Sequence, residues 1–265
     1  MVIYDFGMNN GDDVAYYLKK DVRVVGVEAN KALCDQVCRR FPEEIAAGRL
    51  TVLNVALSDR ESAEPLTFYI HKTNHVLSQL PRPEDPSQFD AVDVPCRTPA
   101  SIVSEFGEPL YIKIDVEHFD GPVLRNLFQA GIFPPEISAE AHSVEVFALM
   151  VANGYNSFSL VDGATVSTKY GRTTIETLQG PQAYSFPYHS AGPFGADIRE
   201  RWDDADTFLH TLSFSRLGWK DIHASTVIPP SGRPRERTLA ARQVRSLASR
   251  TASGLAEKLR TTRQD

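Results

Sequence analysis

Cysteines are scarce in this sequence, and long hydrophobic runs are missing from it. The three cysteines, Cys34, Cys38 and Cys96, have neither the paired spacing of zinc ligands nor a redox Cys-x-x-Cys motif, so we interpret them as packing residues. No apolar run approaches the about 18–20 residues that a membrane-spanning helix needs, and the N-terminal segment lacks the basic region and leader of a signal peptide. We therefore expect no membrane span and a cytoplasmic location.

The composition bounds the size and class of the protein. Hydrophobic residues make up 42% and charged residues 23% of the 265 residues, which are the proportions of a soluble globular protein. This length suits one well-buried α/β domain with appendages and is too short for two full domains. We expect a folded domain over residues 1–229, with a core over 1–180 and an extension over 181–229.

The charge is distributed unevenly, although its sum of −6 argues against nucleic acid as a partner. Residues 230–265 hold nine basic and three acidic side chains, which leaves a net charge of −12 on the rest of the chain. We expect this basic tail to be a charged helix or a disordered extension. An acidic glycan, a membrane surface or nucleic acid are alternative ligands for it, but such ends are most often solvated appendages.

Short apolar runs alternate with helical periodicity along most of the chain, which predicts a mostly parallel sheet with helices on both faces. Strands are predicted over 2–6, 23–28, 50–57, 66–70, 91–94, 110–115 and 136–141. Helices are predicted over 12–20, after a cap at Asn30, and over 122–130, 143–153 and 204–212. Segments 157–161 and 174–178 are predicted to be antiparallel strands that close the sheet.

The turn after the first strand has the character of a cofactor loop. It reads Asp-Phe-Gly-Met-Asn-Asn-Gly from Asp5 to Gly11, and glycines there let the backbone approach a ligand closely. The pattern differs from the dinucleotide motif, and Asp12 and Asp13 stand where a pyrophosphate would need a helix N-terminus free of negative charge. A positively charged sulfonium suits this acidic loop, so the charge favours S-adenosylmethionine over NAD.

Further polar residues follow the second and third strands, where parallel strands meet a bound nucleotide. Glu28 ends the second strand, where a carboxylate can accept both ribose hydroxyls, and the loop around Ser58 and Asp59 is placed to meet the adenine. The residues assigned to cofactor binding are Asp5, Gly7, Asn9, Asn10, Gly11, Asp13, Glu28, Ala29, Ser58, Asp59 and Asp115.

Four segments in this order resemble the motifs of the FkbM-type methyltransferases. They are Tyr-Asp-Phe-Gly-Met-Asn-Asn-Gly-Asp from Tyr4, Gly-Val-Glu-Ala-Asn from Gly26, Asn-Val-Ala-Leu-Ser-Asp from Asn54 and Ile-Lys-Ile-Asp-Val-Glu from Ile112. The resemblance covers roughly residues 2–163. It implies the class I methyltransferase fold, with a mostly parallel seven-stranded sheet, and O-methylation of hydroxyls on sugars, glycans or polyketides.

The sequence departs from that family in two ways. His118 replaces the usual glycine after the Asp-Val-Glu triplet, and almost nothing precedes the first strand. We therefore expect another segment, the proline-rich region 71–99, to cover the cofactor, with His75 and Ser78 as candidate substrate contacts.

An alcohol is about as weakly acidic as water, whose pKa is ~15.7, so O-methylation needs a base or a metal ion. Glu117 and His118 follow the strand that ends near Asp115, and Glu140 and His142 end the next one. Asp115, Glu140 and His142 are the predicted ligands of a divalent ion, with Mg²⁺ as the expected occupant. His142 or His118 acting alone as a general base is the alternative, and the predicted catalytic residues are His142, His118 and Glu117.

The leading hypothesis is a methyltransferase that uses S-adenosylmethionine and acts on a small-molecule or glycan hydroxyl acceptor. Two alternatives are a catalytically silent adenosine-binding or scaffolding protein and a nicotinamide oxidoreductase. Trp202 and Trp219 are assigned to core packing, with stacking on a sugar ring as the alternative. Segments 192–198 and 219–223 are given an acceptor-binding or dimer-contact role, which allows a homodimer.

Overall fold

Short segments rich in β-branched and aromatic residues form the strands of this computed structural model, which describes residues 1–80 and 82–231. The strands are β1 (Val2–Phe6), β2 (Arg23–Val27), β3 (Leu50–Leu53), β4 (Ala56–Leu57), β5 (Leu66–His71), β6 (Phe89–Val94), β7 (Cys96–Arg97), β8 (Pro109–Ile114), β9 (Glu136–Ala141), β10 (Ser157–Asp162), β11 (Thr173–Ile175), β12 (Gln182–Tyr184) and β13 (Gly218–Ser225). All of them lie in one compact unit, Met1–Pro230. The predicted basic tail falls almost wholly outside the described residues.

Four of the eight described helices begin at a residue whose side chain caps the helix. The eight helices are α1 (Asp12–Leu18), α2 (Lys31–Arg40), α3 (Pro42–Ala46), α4 (Pro99–Phe106), α5 (Asp120–Gln129), α6 (Val144–Ala152), α7 (Gly163–Lys169) and α8 (Ala205–Ser215). Asn30 caps α2 as predicted, since its side chain accepts a hydrogen bond from the amide of Ala32. Gly131 and Gly154 follow α5 and α6 with positive φ, a conformation that costs glycine little. No helix in residues 1–80 and 82–231 is long and apolar enough to cross a bilayer.

Among the described strands, seven form the central sheet in the order β3-β2-β1-β8-β9-β13-β10. Only β13 runs antiparallel to its neighbours, so the predicted mostly parallel seven-stranded sheet is confirmed. The strand order reverses between β1 and β8, because β2 and β3 extend from one side of β1 and β8 from the other. Ligands of such sheets bind beyond the carboxyl ends of the strands at this reversal.

Side chains alternate between the two faces of β1, and each face is covered by helices. Val2, Tyr4 and Phe6 pack in the core formed with α4, α5, α6 and α8, whereas Ile3 packs in the core formed with α1, α2 and α7. Asp5 points to the same side as Ile3, because side chains alternate with a period of two along a strand. A carboxylate is therefore buried beneath the reversal point of the sheet.

Two sequence predictions about strands were wrong. The segment predicted over 174–178 does not close the sheet: β11 pairs with β12, and β10 pairs instead with β13, which the sequence did not indicate. The strand predicted over 50–57 is split, because β3 stays in the central sheet while β4 pairs with β7. Asn54 lies at the break, and its side-chain amide donates to the carbonyl oxygens of Glu28 and Ala29.

Candidate functional site

A cavity of about 510 Å³ opens beyond the carboxyl ends of β1, β2, β8 and β9, at the reversal of the strand order. Its wall combines the loop after β1, the end of β2, the hairpin of β5 and β6, the ends of β8 and β9, and three aromatic residues from the C-terminal third of the chain. This is the position at which the sequence placed the cofactor and the acceptor. The described chain therefore brings both predicted halves of the site to one cavity.

The loop after β1 packs closely against the end of β8 because Gly7 has no side chain. Its φ of +86° lies in the left-handed region, and a Cβ atom there would collide with the backbone carbonyl oxygen of Asp115 at the end of β8. Asn9 also has a positive φ, of 49°, and its side-chain oxygen accepts a hydrogen bond from the amide of Asn10. The loop is thus held tightly over the gap between β1 and β8.

Glu28 is fixed at the end of β2 by its surroundings. Its Oε2 accepts from the amide of Asn9 at 3.0 Å, and its Oε1 accepts from the amide of Asn30 at 2.8 Å. Burial raises the pKa of this carboxyl, whereas these two amide bonds lower it. Each carboxylate oxygen keeps further acceptor capacity, so the pair suits two neighbouring hydroxyl donors such as those of a ribose.

Lys113 is the central charge below the cavity, and sequence reasoning missed it. Its Nζ lies 3.4 Å from a carboxylate oxygen of Asp5, 3.5 Å from one of Asp13 and 3.3 Å from one of Asp115, and it donates to the carbonyl of Gly7 at 3.3 Å. The signal was available, because a lysine in an otherwise apolar strand must be paired when it is buried.

The charges around Lys113 depend on one another. Burial opposes a charge on Lys113, but the neighbouring carboxylates outweigh burial and hold its pKa well above the ordinary value. Burial raises the pKa of Asp5 to about 7, and Lys113 opposes that rise. The ammonium group therefore stabilises the ionised carboxylates under the cofactor loop.

Asp13 connects this charge cluster to the C-terminal third of the chain. Its carboxylate accepts from the hydroxyl of Ser190 and, at 3.1 Å, from the amide of Ala191. Asp12, beside it, forms an ion pair with Arg40 at 2.8 Å and also lines the cavity. Of these two acids, Asp13 is the more deeply buried.

The predicted cofactor residues do not all reach the cavity. Those that line it are Gly7, Asn9, Asn10, Asp13, Glu28, Ala29 and Asp115. Asp5 lies below the wall and faces Lys113, while Gly11 packs against Val37. Ser58 is buried, and Asp59 is exposed with its carbonyl bonded to the side chain of Asn126. Ala56 and Leu57 take their place in the lining.

Acidic and histidine side chains meet at the other end of the cavity. The Nε2 of His142 lies 2.8 Å from Oε2 of Glu140 and 3.6 Å from Oε2 of Glu117. Asp115, which was predicted as the third metal ligand, lies 3.3 Å from the Nζ of Lys113 and is also close enough to Glu140 to raise the pKa of that carboxyl. In the described residues the ligand atoms that lie within 4.8 Å of one another belong to Glu117, Glu140 and His142, two of which are in the predicted metal set.

This cluster carries more negative charge than its surroundings balance. Burial, followed by repulsion from neighbouring carboxylates, raises the pKa of Glu140 to about 10 and that of Glu117 to about 7. The same causes raise the pKa of Asp120, at the start of α5, to about 7. A cation or a proton must offset this charge.

His118 stands beside the cluster in a strained turn. Glu117 and His118 have φ values of 31° and 65°, so two successive residues without glycine's freedom adopt the left-handed conformation. The ring centroid of His118 lies 4.6 Å from that of His142. Burial, followed by the charge of His142, lowers the pKa of His118, which favours its neutral form.

The proline-rich region lies over the cavity as expected. His75, Leu77 and Ser78 line it, and β5 with β6 forms the hairpin that carries them. The side-chain oxygen of Ser78 accepts a hydrogen bond from the amide of His71 at 3.1 Å, which holds the segment in place. His75 lines the cavity and is exposed.

Three aromatic rings form a rim at the mouth of the cavity. Tyr188 and Trp219 meet edge to face with centroids 5.4 Å apart, and His189 lies beside both. The indole of Trp219 rests on Gly163, where a Cβ atom would collide with it. Trp202, by contrast, is buried in the core with 6% of its surface exposed, so packing is confirmed for Trp202 alone.

A match to a protein-family profile agrees with the motifs in the sequence. The profile of the methyltransferase FkbM domain matches residues 5–155. The fold is similar to a precorrin-6y C5,15-methyltransferase from Geobacter metallireducens, with 11% identity over 70% of this chain and 73% of that chain and a TM-score of 0.35. It is also similar to a SAM-dependent O-methyltransferase from Thermotoga maritima, with 9% identity, coverage of 87% and 61%, and a TM-score of 0.35. No curated protein matches the sequence.

Proposed function

The chain belongs to the FkbM methyltransferase family, and from this premise we propose that it methylates a hydroxyl of a sugar, glycan or related polyhydroxylated acceptor. Methyl transfer from S-adenosylmethionine is the activity of the family; the hydroxyl acceptor is our proposal. One observation carries it. A single cavity joins the carboxylate of Glu28 to the cluster of Glu117, Glu140 and His142.

The residues at the β2 end of the cavity fit S-adenosylmethionine. When bound, this cofactor supplies an electrophilic methyl group on a cationic sulfur. Glu28 would hold the ribose hydroxyls, and the turn at Gly7 lets the backbone come close to the ligand. Asp13 and Asp115 line the same wall and give it a negative potential that favours a cation.

The opposite end of the cavity has groups that can take the proton of an alcohol. His118 is favoured in its neutral form, so one of its ring nitrogens can accept the proton of the acceptor hydroxyl. The bound cofactor would supply the methyl group, and its sulfur would keep the electron pair of the carbon–sulfur bond. His118 can then release the proton to solvent, because its side chain is exposed.

A divalent ion would assist this step by polarising the acceptor oxygen, and the sequence favoured Mg²⁺ for that role. We propose Glu117, Glu140 and His142 as the residues that hold it. His142 then serves as a ligand, which leaves His118 as the general base. The two histidines, which the sequence offered as alternatives, take separate roles.

The rim of Tyr188, His189 and Trp219 supports a ring-shaped acceptor. Aromatic faces pack against the apolar face of a sugar, while its hydroxyls point toward the polar cluster. Trp219 is 37% exposed and is held in place by Gly163, so its ring is available and oriented. This geometry supports a carbohydrate acceptor over a flexible aliphatic alcohol.

Calorimetry with S-adenosylhomocysteine tests the cofactor half of the proposal. The full chain should bind it, and Glu28→Gln should bind it more weakly. Absence of binding at about 1 mM ligand would contradict the proposal. The variant Glu43→Gln changes an exposed acid on α3 and is the matched control, since it should bind like the wild type.

Transfer of a labelled methyl group to a panel of hydroxylated acceptors tests the other half. Glycosides should be methylated, and Trp219→Ala should raise KM for them more than it lowers kcat, because it removes binding surface. Retained cofactor binding without transfer to any hydroxyl would instead favour a catalytically silent adenosine-binding protein.

A further inference from the structure

We propose that Glu117, Glu140 and His142 form a site for a divalent transition ion such as Mn²⁺, Fe²⁺, Co²⁺ or Zn²⁺, in place of the Mg²⁺ that the sequence suggested. The role of this ion in methylation rests on the proposed function, whereas the binding of the ion does not. Each residue offers one ligand atom, and the three atoms lie within 4.8 Å of one another.

The spacing of the ligand atoms fits one small ion. Ligands about 2.1 Å from an ion lie about 3.0 Å apart at a right angle and about 3.4 Å apart at a tetrahedral angle. The Nε2 of His142 lies 2.8 Å from Glu140 and 3.6 Å from Glu117, on either side of these values. The side chains are therefore placed as neighbouring ligands of a common centre.

The orientation of His142 provides a second, independent observation. Its Nε2 is shielded from solvent and makes no hydrogen bond of acceptable geometry within the described residues, although the oxygen of Glu140 is only 2.8 Å away. A hydrogen-bonded pair at that distance would point the N–H at the oxygen. The Nε2 of His142 is therefore a buried ring nitrogen without a hydrogen bond, and it lies next to the oxygens of Glu140 and Glu117.

Buried carboxyl groups without hydrogen-bond partners lie around the cluster, and a cation would allow them to ionise. Both carboxylate oxygens of Asp120 are buried without a hydrogen bond in the described part of the chain, and the residue is 2% exposed. The side chain of Glu140 is 9% exposed and faces the same group of acids. Lys113 is already shared among Asp5, Asp13 and Asp115, so it does not offset this charge. A divalent ion bound at the cluster would offset the charge of these acids.

The donor set selects the class of ion. Mg²⁺ and Ca²⁺ prefer oxygen ligands, whereas imidazole together with carboxylate suits Mn²⁺, Fe²⁺, Co²⁺ and Zn²⁺. A set of three protein ligands also leaves coordination positions for water or for an acceptor hydroxyl. The site faces the cavity rather than the core, so an acceptor can reach the open positions.

Titration of the full chain, freed of metal by a chelator and dialysed, tests the proposal with Mn²⁺ as the probe. The electron paramagnetic resonance signal of free Mn²⁺ should fall until each chain holds a single ion. Mg²⁺ in large excess should not displace the ion, while Zn²⁺ should. Glu140→Gln and His142→Ala should each weaken binding at least about tenfold. Glu105→Gln alters an exposed acid paired with Arg97 and is the control, since it should leave affinity unchanged.

Calorimetry with S-adenosylhomocysteine on the same samples separates the two proposals. Cofactor binding without Mn²⁺ binding at about 1 mM overturns the metal site and leaves the methyltransferase intact. Equal competition by Mg²⁺, or unchanged affinity in both ligand variants, also overturns it. If His142→Ala loses its circular dichroism signal, Glu117→Gln at the partly exposed ligand replaces it, and unchanged Mn²⁺ affinity in that variant counts against the site.

Discussion

Replacing Lys113 with methionine removes the positive charge on which the cofactor end of the site depends. Methionine keeps an unbranched apolar side chain that is shorter by only the terminal atom, so the change mainly removes the ammonium group. Three carboxylates lie within 3.5 Å of that group, on Asp5, Asp13 and Asp115. The fold must then bury part of this negative charge without its counter-charge.

Most of the lost stability should come from Asp5. Asp13 keeps its hydrogen bonds from Ser190 and Ala191, and the side chain of Asp115 is 36% exposed. Asp5 is fully buried, and its oxygens make no hydrogen bond among the described residues. Removing one partner of a buried ion pair costs about 3–5 kcal/mol, a large part of the about 5–15 kcal/mol that stabilises a domain.

The loss should depend on pH in a defined direction. Burial raises the pKa of Asp5 above its ordinary value of 3.8 to about 7 in the wild type, and the loss of Lys113 raises it further. A raised carboxyl pKa stabilises the folded state below the unfolded pKa, and this contribution is lost as pH rises through the folded value. The deficit of Lys113→Met should therefore be largest above pH 7 and shrink in acid.

Urea unfolding followed by circular dichroism at about pH 8 and about pH 5 measures this deficit. The double variant with Asp5→Asn should recover more than half of the lost stability at the higher pH. Lys31→Met, which breaks an exposed pair with Asp35, should cost little. A deficit below about 1 kcal/mol at pH 8, or one equal at both pH values, would refute the reasoning about Lys113.

Three further outcomes follow from the same structure. Glu28→Gln should weaken S-adenosylhomocysteine binding about 10- to 100-fold by calorimetry, because it removes a charged hydrogen-bond acceptor. Gly7→Ala should lower the melting temperature more than Gly48→Ala does. Both glycines have positive φ, but only at Gly7 would the added Cβ atom collide with a backbone carbonyl oxygen. Burial raises the pKa of Glu136 to about 7, so Glu136→Gln should stabilise the fold by about 1–3 kcal/mol at pH 8 and less at pH 4.5, as urea unfolding would show.

The cofactor end of the site was largely predictable because its determinants are local. Gly7 and Glu28 each follow a short apolar strand, and the position of a residue at a strand end in a parallel sheet places it at the cavity. Ser58 and Asp59 were not brought to the wall, because β4 leaves the central sheet to pair with β7. The sequence showed a strand there but not its partner.

The acceptor end was only partly predictable, because its chemistry depends on side-chain direction. Lys113 lies in β8 and Asp115 directly follows that strand, where its carboxylate lies 3.3 Å from the Nζ of Lys113. Glu117 lies beside Glu140 and His142 because the chain turns at two successive left-handed residues, Glu117 and His118, which no periodicity indicates. The lysine two positions before Asp115 is the sequence signal for that ion pair.

The strand β13 was missed because its buried face is polar. Asp221, His223 and Ser225 alternate along it and are buried, while Ile222 and Ala224 face the apolar core. An alternating apolar and polar strand is expected to expose its polar residues. Here both faces are covered, so the pattern that predicts a half-exposed strand belongs to a fully buried one. Nonlocal pairing with β9 and β10 decides the outcome.

His118 shows most directly how the acceptor end departs from what stability alone favours. A residue other than glycine in the left-handed conformation costs about 1–2 kcal/mol, and the resembled motif has glycine at this position. The side chain is exposed, so little buried surface offsets that cost. The ring centroid of His118 instead lies 4.6 Å from that of His142, next to the acidic cluster, and His118 lines the cavity. A strained residue without a gain in packing is typical of functional sites, and this observation supports the proposed role of His118 as general base.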